Sequence, residues 1–158
     1  PIGKVPCLVT DAGVSLYDSS VICEYLDQLN TGTKLFPADT DARFKALTLA
    51  AAGDGMTDAG ILFLIETVRR PEELRWDWWI ERQQAAMFRC MDVADAAADS
   101  MVTDGDITIS EISIACGLGW IDLRFPDMGW RTDRPALADW FEKISSRPSF
   151  EATMPPQS

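Results

Sequence analysis

Apolar positions alternate with polar ones only at the start of the chain; beyond residue 30 they recur at helical spacing. Val5 to Thr10 reads as a short strand, Asp11-Ala12-Gly13 as its turn and Val14 to Tyr17 as a second strand, since Gly and Asp in so short a connection favour a tight hairpin. Asp18-Ser19-Ser20 then opens a helix with Val21, Ile22, Tyr25, Leu26 and Leu29 on one face. Residues 30–40, with Gly32 and Pro37 among small polar residues, read as a linker between a ββα unit at 1–29 and an all-helical domain at 41–158.

Within the second domain the spacing predicts a long helix from Asp41 to Val68, ended by Pro71, and a second from Glu72 to about Ser100. Gly53, Gly55 and Gly60 interrupt the first; a glycine inside a helix costs about 1 kcal/mol against alanine, so close packing or a bend is expected there. Thr108 as N-cap and Glu111 three residues on form a capping box at the next helix, and Ile107 and Ile112 are placed for a hydrophobic staple. Thr108 is the expected larger contributor of the pair. Ile114, Ala115, Gly117, Leu118 and Ile121 continue this helix into the core. Asp133-Arg134-Pro135 starts a further helix with Leu137, Trp140, Phe141 and Ile144 on its apolar face, and Arg147-Pro148 stops it. The expected fold class is an α+β remnant followed by an all-α domain. A two-stranded hairpin is marginal by itself, so the ββα unit reads as part of something larger.

Composition narrows the partners. The 158 residues are 47% hydrophobic and 25% charged, as in globular chains. A net charge of −11 argues against nucleic acid, which needs a clustered basic surface. The longest uninterrupted apolar run, Gly60 to Ile65, is far short of the roughly 20 residues of a membrane span, and the first residues carry no signal-type core. The chain does not start with Met, so residues ahead of Pro1 are expected. Asp92, Asp95 and Asp99 share one side of a helix and read as a solvated acidic face, with a cation site as the alternative.

Cys7, Cys23, Cys90 and Cys116 show no metal-ligand spacing and sit among apolar residues, so each is expected to be a free, buried thiol in a reducing compartment. No histidine is present, which removes any histidine-based nucleophile pair, zinc site or pH switch from these residues.

Two runs, Gly3-Lys4-Val5-Pro6-Cys7-Leu8 and Leu16-Tyr17-Asp18-Ser19-Ser20-Val21-Ile22-Cys23-Glu24-Tyr25-Leu26, resemble the later half of the N-terminal domain of a glutathione S-transferase. Thr108-Ile109-Ser110-Glu111-Ile112, the stretch from Leu118 to Phe125, Pro135, Leu137, Trp140 and Arg147-Pro148-Ser149-Phe150 resemble its helical domain, particularly in small bacterial members. The resemblance implies that the ββα unit is the C-terminal half of a thioredoxin-like domain, and that the ligand is glutathione. Pro6 would be the structural cis-proline, turning the backbone of Val5 toward a groove where a peptide-like ligand pairs as an added strand. Ser19, at a helix N-terminus, suits the α-carboxylate of the γ-glutamyl head, Asp18 its ammonium, and Lys4 the cysteinyl–glycine part. On the residues alone, Asp18-Ser19 reads also as a plain N-cap, and Pro6 as a trans proline on an edge strand.

The resemblance further implies a cytosolic homodimer and thiolate transfer to a small electrophile; a non-catalytic binding or interaction module of the same family is the alternative. In the family the thiol-activating residue lies in a βαβ unit ahead of the Gly-Lys-Val-Pro segment. That unit is expected to be absent here, leaving no catalytic residue in this chain; Cys7 reads as structural. No metal is expected. Trp76, Trp78 and Trp79 read as helix packing or dimer contacts, with an acceptor pocket as the alternative. Asp54 and Asp58, one turn apart, border the cleft or face a partner's arginine. Without a preceding strand, the open edge at Val5 to Thr10 and the apolar face of the helix after it are expected to drive association.

Overall fold

The computed structural model describes residues 3–155. Strands β1 (Leu8–Val9) and β2 (Ser15–Leu16) pair antiparallel, Leu8 opposite Leu16 and Val9 opposite Ser15. Both are shorter than the alternation predicts. Pro6 has no N–H to give to a ladder, and Thr10 to Val14 is a closed turn in which Gly13 N–H donates to Thr10 O at 2.8 Å and takes φ +78°. Helix α1 (Ser19–Leu29) follows, with Asp18 as N-cap.

Of the α1 apolar face only Ile22 is buried; Val21, Leu26 and Leu29 are 47%, 50% and 63% exposed. Polar contacts fasten the end of α1 to the linker. Asp27, 4% exposed, accepts the backbone N–H groups of Leu35 and Phe36 at 2.8 and 3.3 Å. Lys34 closes the same turn by donating to the Asp27 and Asn30 carbonyls. The linker is thereby fastened, and its Phe36 joins Ala46, Ala50 and Ile109 in a small core with Cys23 packed on it.

Helix α2 (Thr40–Leu64) is capped by Asp39, which accepts the Ala42 N–H at 2.9 Å. A wider π-type turn, Ile65–Arg69, extends it to the break at Pro71. The single helix expected from Glu72 onward is instead a 3-10 turn, Glu72–Leu74, then extended backbone at Arg75 and Trp76, then α3 (Asp77–Ala97). The reason is Glu66. Its carboxylate, buried beneath the turn, takes the Trp76 N–H at 2.9 Å and the Arg70 Nε at 3.1 Å, so α3 starts on a remote acceptor instead of on its own cap.

Helix α4 (Ile109–Arg124) starts at the capping box. Thr108 Oγ1 accepts the Ser110 N–H at 3.2 Å, and Glu111 accepts the Thr108 N–H at 2.9 Å. Ile107 is buried and Ile112 half-buried. Leu35 O receives the Ile109 N–H at 3.0 Å, which ties the linker to this start. Helix α5 (Pro135–Ser145) has proline at its first position, and Arg147-Pro148, where α5 ends, opens a last short turn, α6 (Pro148–Glu151).

The main core lies between α2, α3, α4 and α5, around Met56, Met87, Met91, Ile114, Leu118, Leu137 and Ile144, all at 0% exposure. Thr40–Arg69 is long and apolar enough by length and composition to cross a membrane, which the short apolar runs of the sequence did not suggest. Here it is the central helix, packed against both α3 and α4. Asp92 and Asp95 are not simply solvated. Asp92 pairs with Arg134 at 2.6 Å and Asp95 accepts the Leu137 N–H at 2.8 Å, so α3 caps α5.

Candidate functional site

The residues singled out for ligand contact lie in two short segments, one ahead of β1 and one at the start of α1. Gly3, at φ +66°, lets the chain turn into Lys4-Val5-Pro6. The Val5–Pro6 bond is cis, as is Tyr17–Asp18, and Val5 is 94% exposed, so its backbone stands open to a ligand. Helix α1 begins with Ser19 exposed at the first helical position. Four N–H groups at such a terminus have no partner within the helix, and the helix dipole adds positive potential.

Asp18 supplies the negative group of the second segment. Its carboxylate accepts the Ser20 hydroxyl at 2.7 Å and the Ser20 N–H at 3.3 Å. The Ser20 hydroxyl first, and least of all the Lys4 charge, hold its pKa below the ordinary carboxylate value. Lys4 in turn reaches across to the helical domain, where its Nζ lies 3.3 Å from Asp58 Oδ1 on α2. One turn earlier, Asp54 lies 2.7 Å from the Ser113 hydroxyl of α4. Asp58 thus faces Lys4, while Asp54 is held by α4.

Other expected residues fall elsewhere. Ile107, Thr108, Glu111 and Ile112 sit at the start of α4 and organise the helical domain. Cys7 is exposed, not buried, and Cys116 is exposed too; the two-residue strands place no layer over Cys7. Burial pushes the thiols of half-buried Cys23 and Cys90 up. Trp76 and Trp78 are 59% and 53% exposed and lie tilted against one another with centroids 4.9 Å apart, so they form a surface cluster and not helix packing. Sequence reasoning missed Glu66 and Asp27 altogether, because a carboxylate that catches backbone N–H groups ten or eight residues away carries no local signature.

Residues 1–29 match the N-terminal domain of glutathione S-transferases and residues 79–143 match the C-terminal domain. The GST-like protein YibF of Escherichia coli K12 is 33% identical over the whole chain, which spans 78% of it. The chain belongs to the glutathione S-transferase family. A glutathione transferase family member from Pseudomonas fluorescens Pf-5, solved with S-(propanoic acid)-glutathione bound, is 45% identical with a TM-score of 0.92, over 99% of this chain and 80% of that one. A glutathione S-transferase from Methylobacillus flagellatus KT, solved with glutathione bound, is 33% identical with a TM-score of 0.91, over 99% of this chain and 78% of that one. The architecture accords with them: a short thioredoxin-like part followed by the helical domain of a glutathione S-transferase.

Proposed function

We propose that this protein binds glutathione along Lys4-Val5-Pro6 and the start of α1, and that it serves a glutathione transferase that delivers the thiolate to a small electrophile. The exposed Val5 and the exposed Ser19 at the Asp18-capped start of α1 carry the reading. A peptide strand can pair with Val5, while the γ-glutamyl carboxylate meets the Ser19 hydroxyl and the terminal N–H groups. Asp18, held ionised, takes the ammonium. Lys4 is left for the glycine end. Glutathione-bound relatives at 45% and 33% identity support the same ligand.

In the transfer, the thiolate sulfur bonds to the electrophilic carbon while a leaving group departs with its bonding pair, or, at an activated double bond, the π pair shifts away from that carbon and the resulting anion takes a proton from water. No residue of this chain is assigned the activation of the thiol. There is no histidine, and the raised thiols of Cys23 and Cys90 are poor thiolates. The family setting adds a homodimer and a cytosolic location to the proposal.

Isothermal titration with glutathione tests the binding, and absence of any saturable heat would end the proposal. The purified chain, mass-verified over these residues, is expected to conjugate glutathione to a chromogenic electrophile no faster than solution does. Glutathione-saturable turnover by this chain would show that an activating residue lies within it. The second reading is a module of the same family that binds without turnover. Fusing a family βαβ unit ahead of Pro1 separates the two: restored turnover supports the enzyme, and continued binding without turnover supports the module.

A further inference from the structure

Asp58 stands on α2, in the helical domain, yet its partner is Lys4 of the hairpin segment, with 3.3 Å between Nζ and Oδ1. Both side chains remain about two-thirds exposed, at 66% and 64%. An ion pair so open to water is weak and readily exchanged for another carboxylate. We propose that Asp58 is a positioning residue that competes with the ligand's terminal carboxylate for Lys4, so that glutathione binding trades an interdomain ion pair for a ligand ion pair.

The inference rests on the glutathione reading, and its geometry follows from it. With the γ-glutamyl head at the start of α1 and the cysteinyl backbone on Val5, the glycine carboxylate emerges toward Lys4, the residue before Val5. Lys4 pairs with Asp58, and its charge adds the smallest part to holding Asp18 ionised. The two carboxylates need it in different states. Asp18 is engaged by Ser20 and keeps its place when Lys4 moves. Asp58 gives up its ion-pair partner and is left facing a ligand whose two carboxylates outnumber its one ammonium. Asp54, one turn away and also acidic, adds to the same field. The helical domain thus sets the threshold for the ligand's free carboxylate, and discriminates between ligands that carry it and ligands that do not.

Titration calorimetry on the full chain tests this with glutathione and its glycine monoethyl ester, on the parent protein, Asp58→Asn, Lys4→Gln and the double variant. Asp58→Asn is expected to tighten glutathione about two- to fivefold, the range an exposed ion pair can supply. The ester should bind the parent and Asp58→Asn alike, and the gain should vanish in the Lys4→Gln background. Glutathione binding that Asp58→Asn leaves unchanged or weakens would overturn this inference alone. An equal gain for the ester would overturn it too, by showing bulk repulsion and not competition for Lys4. Failure of the parent protein and every variant to bind glutathione would overturn the underlying reading and this inference with it.

Discussion

Gly53 and Ser113 meet backbone to backbone where α2 crosses α4. A Cβ at Gly53 would stand 2.6 Å from the Ser113 carbonyl carbon and 2.7 Å from its oxygen. The Ser113 hydroxyl lies 2.9 Å from Ala50 O and 2.7 Å from Asp54 Oδ1, and its one hydrogen can serve only one of them at a time. Gly117 faces the same crossing, where a Cβ would be 3.1 Å from Gly53 O. Of the glycines in α2, therefore, Gly53 has a steric cause that backbone movement alone could relieve.

Gly53→Ala is expected to destabilise the protein by about 1–3 kcal/mol, the cost of overpacking a fixed contact. Gly55→Ala, two residues on, should go the other way. Its Cβ would sit 3.6 Å from Cys90 Sγ, an ordinary contact, and removing a helix-interior glycine is worth roughly 0.5–1 kcal/mol. Urea denaturation midpoints of the two variants check both signs.

The capping box should be carried by its acid more than by its hydroxyl, the reverse of what the sequence alone suggests. Glu111 is buried and accepts the N–H groups of Thr108 at 2.9 Å and Val102 at 3.3 Å, with the Thr108 hydroxyl at 2.7 Å. Glu111→Ala strands these donors and is expected to cost about 1–3 kcal/mol. Thr108→Ala should cost about 1 kcal/mol. The double variant should lose less than the sum, because the two share one network. Chemical denaturation of all three decides it; an unmoved midpoint for Glu111→Ala would contradict the network.

Asp18 sets an acid limit on the start of α1. Its folded pKa is depressed, first by the Ser20 hydroxyl, so the ionised form is favoured in the folded chain. The cap's contribution is therefore complete above the ordinary carboxylate value and is lost as pH falls through the lower, folded one. A carboxyl-carbon chemical-shift titration should show Asp18 titrating below ordinary aspartates, with the Ser20 amide shifting in step. Ser20→Ala should move the midpoint up. A Ser20→Ala protein with an unchanged Asp18 midpoint would rule out the hydroxyl as the main cause.

The order of elements was legible because each rests on local chemistry. The Thr108–Glu111 signature places α4 to the residue, and Asp18 places α1, since both act within three residues of where they stand. The long α2 was legible from spacing, and its glycines announced close packing without saying against what. The break before α3 was not legible: Arg75 and Trp76 carry no breaker, and only Glu66, ten residues earlier, draws the Trp76 N–H away from the helix. The acidic side of α3 misled for the same reason. Asp92 and Asp95 look solvated along their own helix and find Arg134 and the start of α5 only across the bundle.

At the candidate site the division is similar. Lys4, Val5, Pro6, Asp18 and Ser19 stand in two short runs whose order and residue types suffice to mark them, because a backbone groove and a helix N-terminus are built from consecutive residues. The sequence by itself thus determined the family, the helical periodicity and the caps. Tertiary structure alone decided which carboxylates do structural work, that Cys7, Trp76 and Trp78 lie at the surface, and that Asp58 rather than Asp54 faces Lys4. The physical reason is range. Backbone geometry and capping act over one helical turn, whereas burial and ion pairing depend on which element the fold brings alongside, and no residue's own neighbours in the chain specify that.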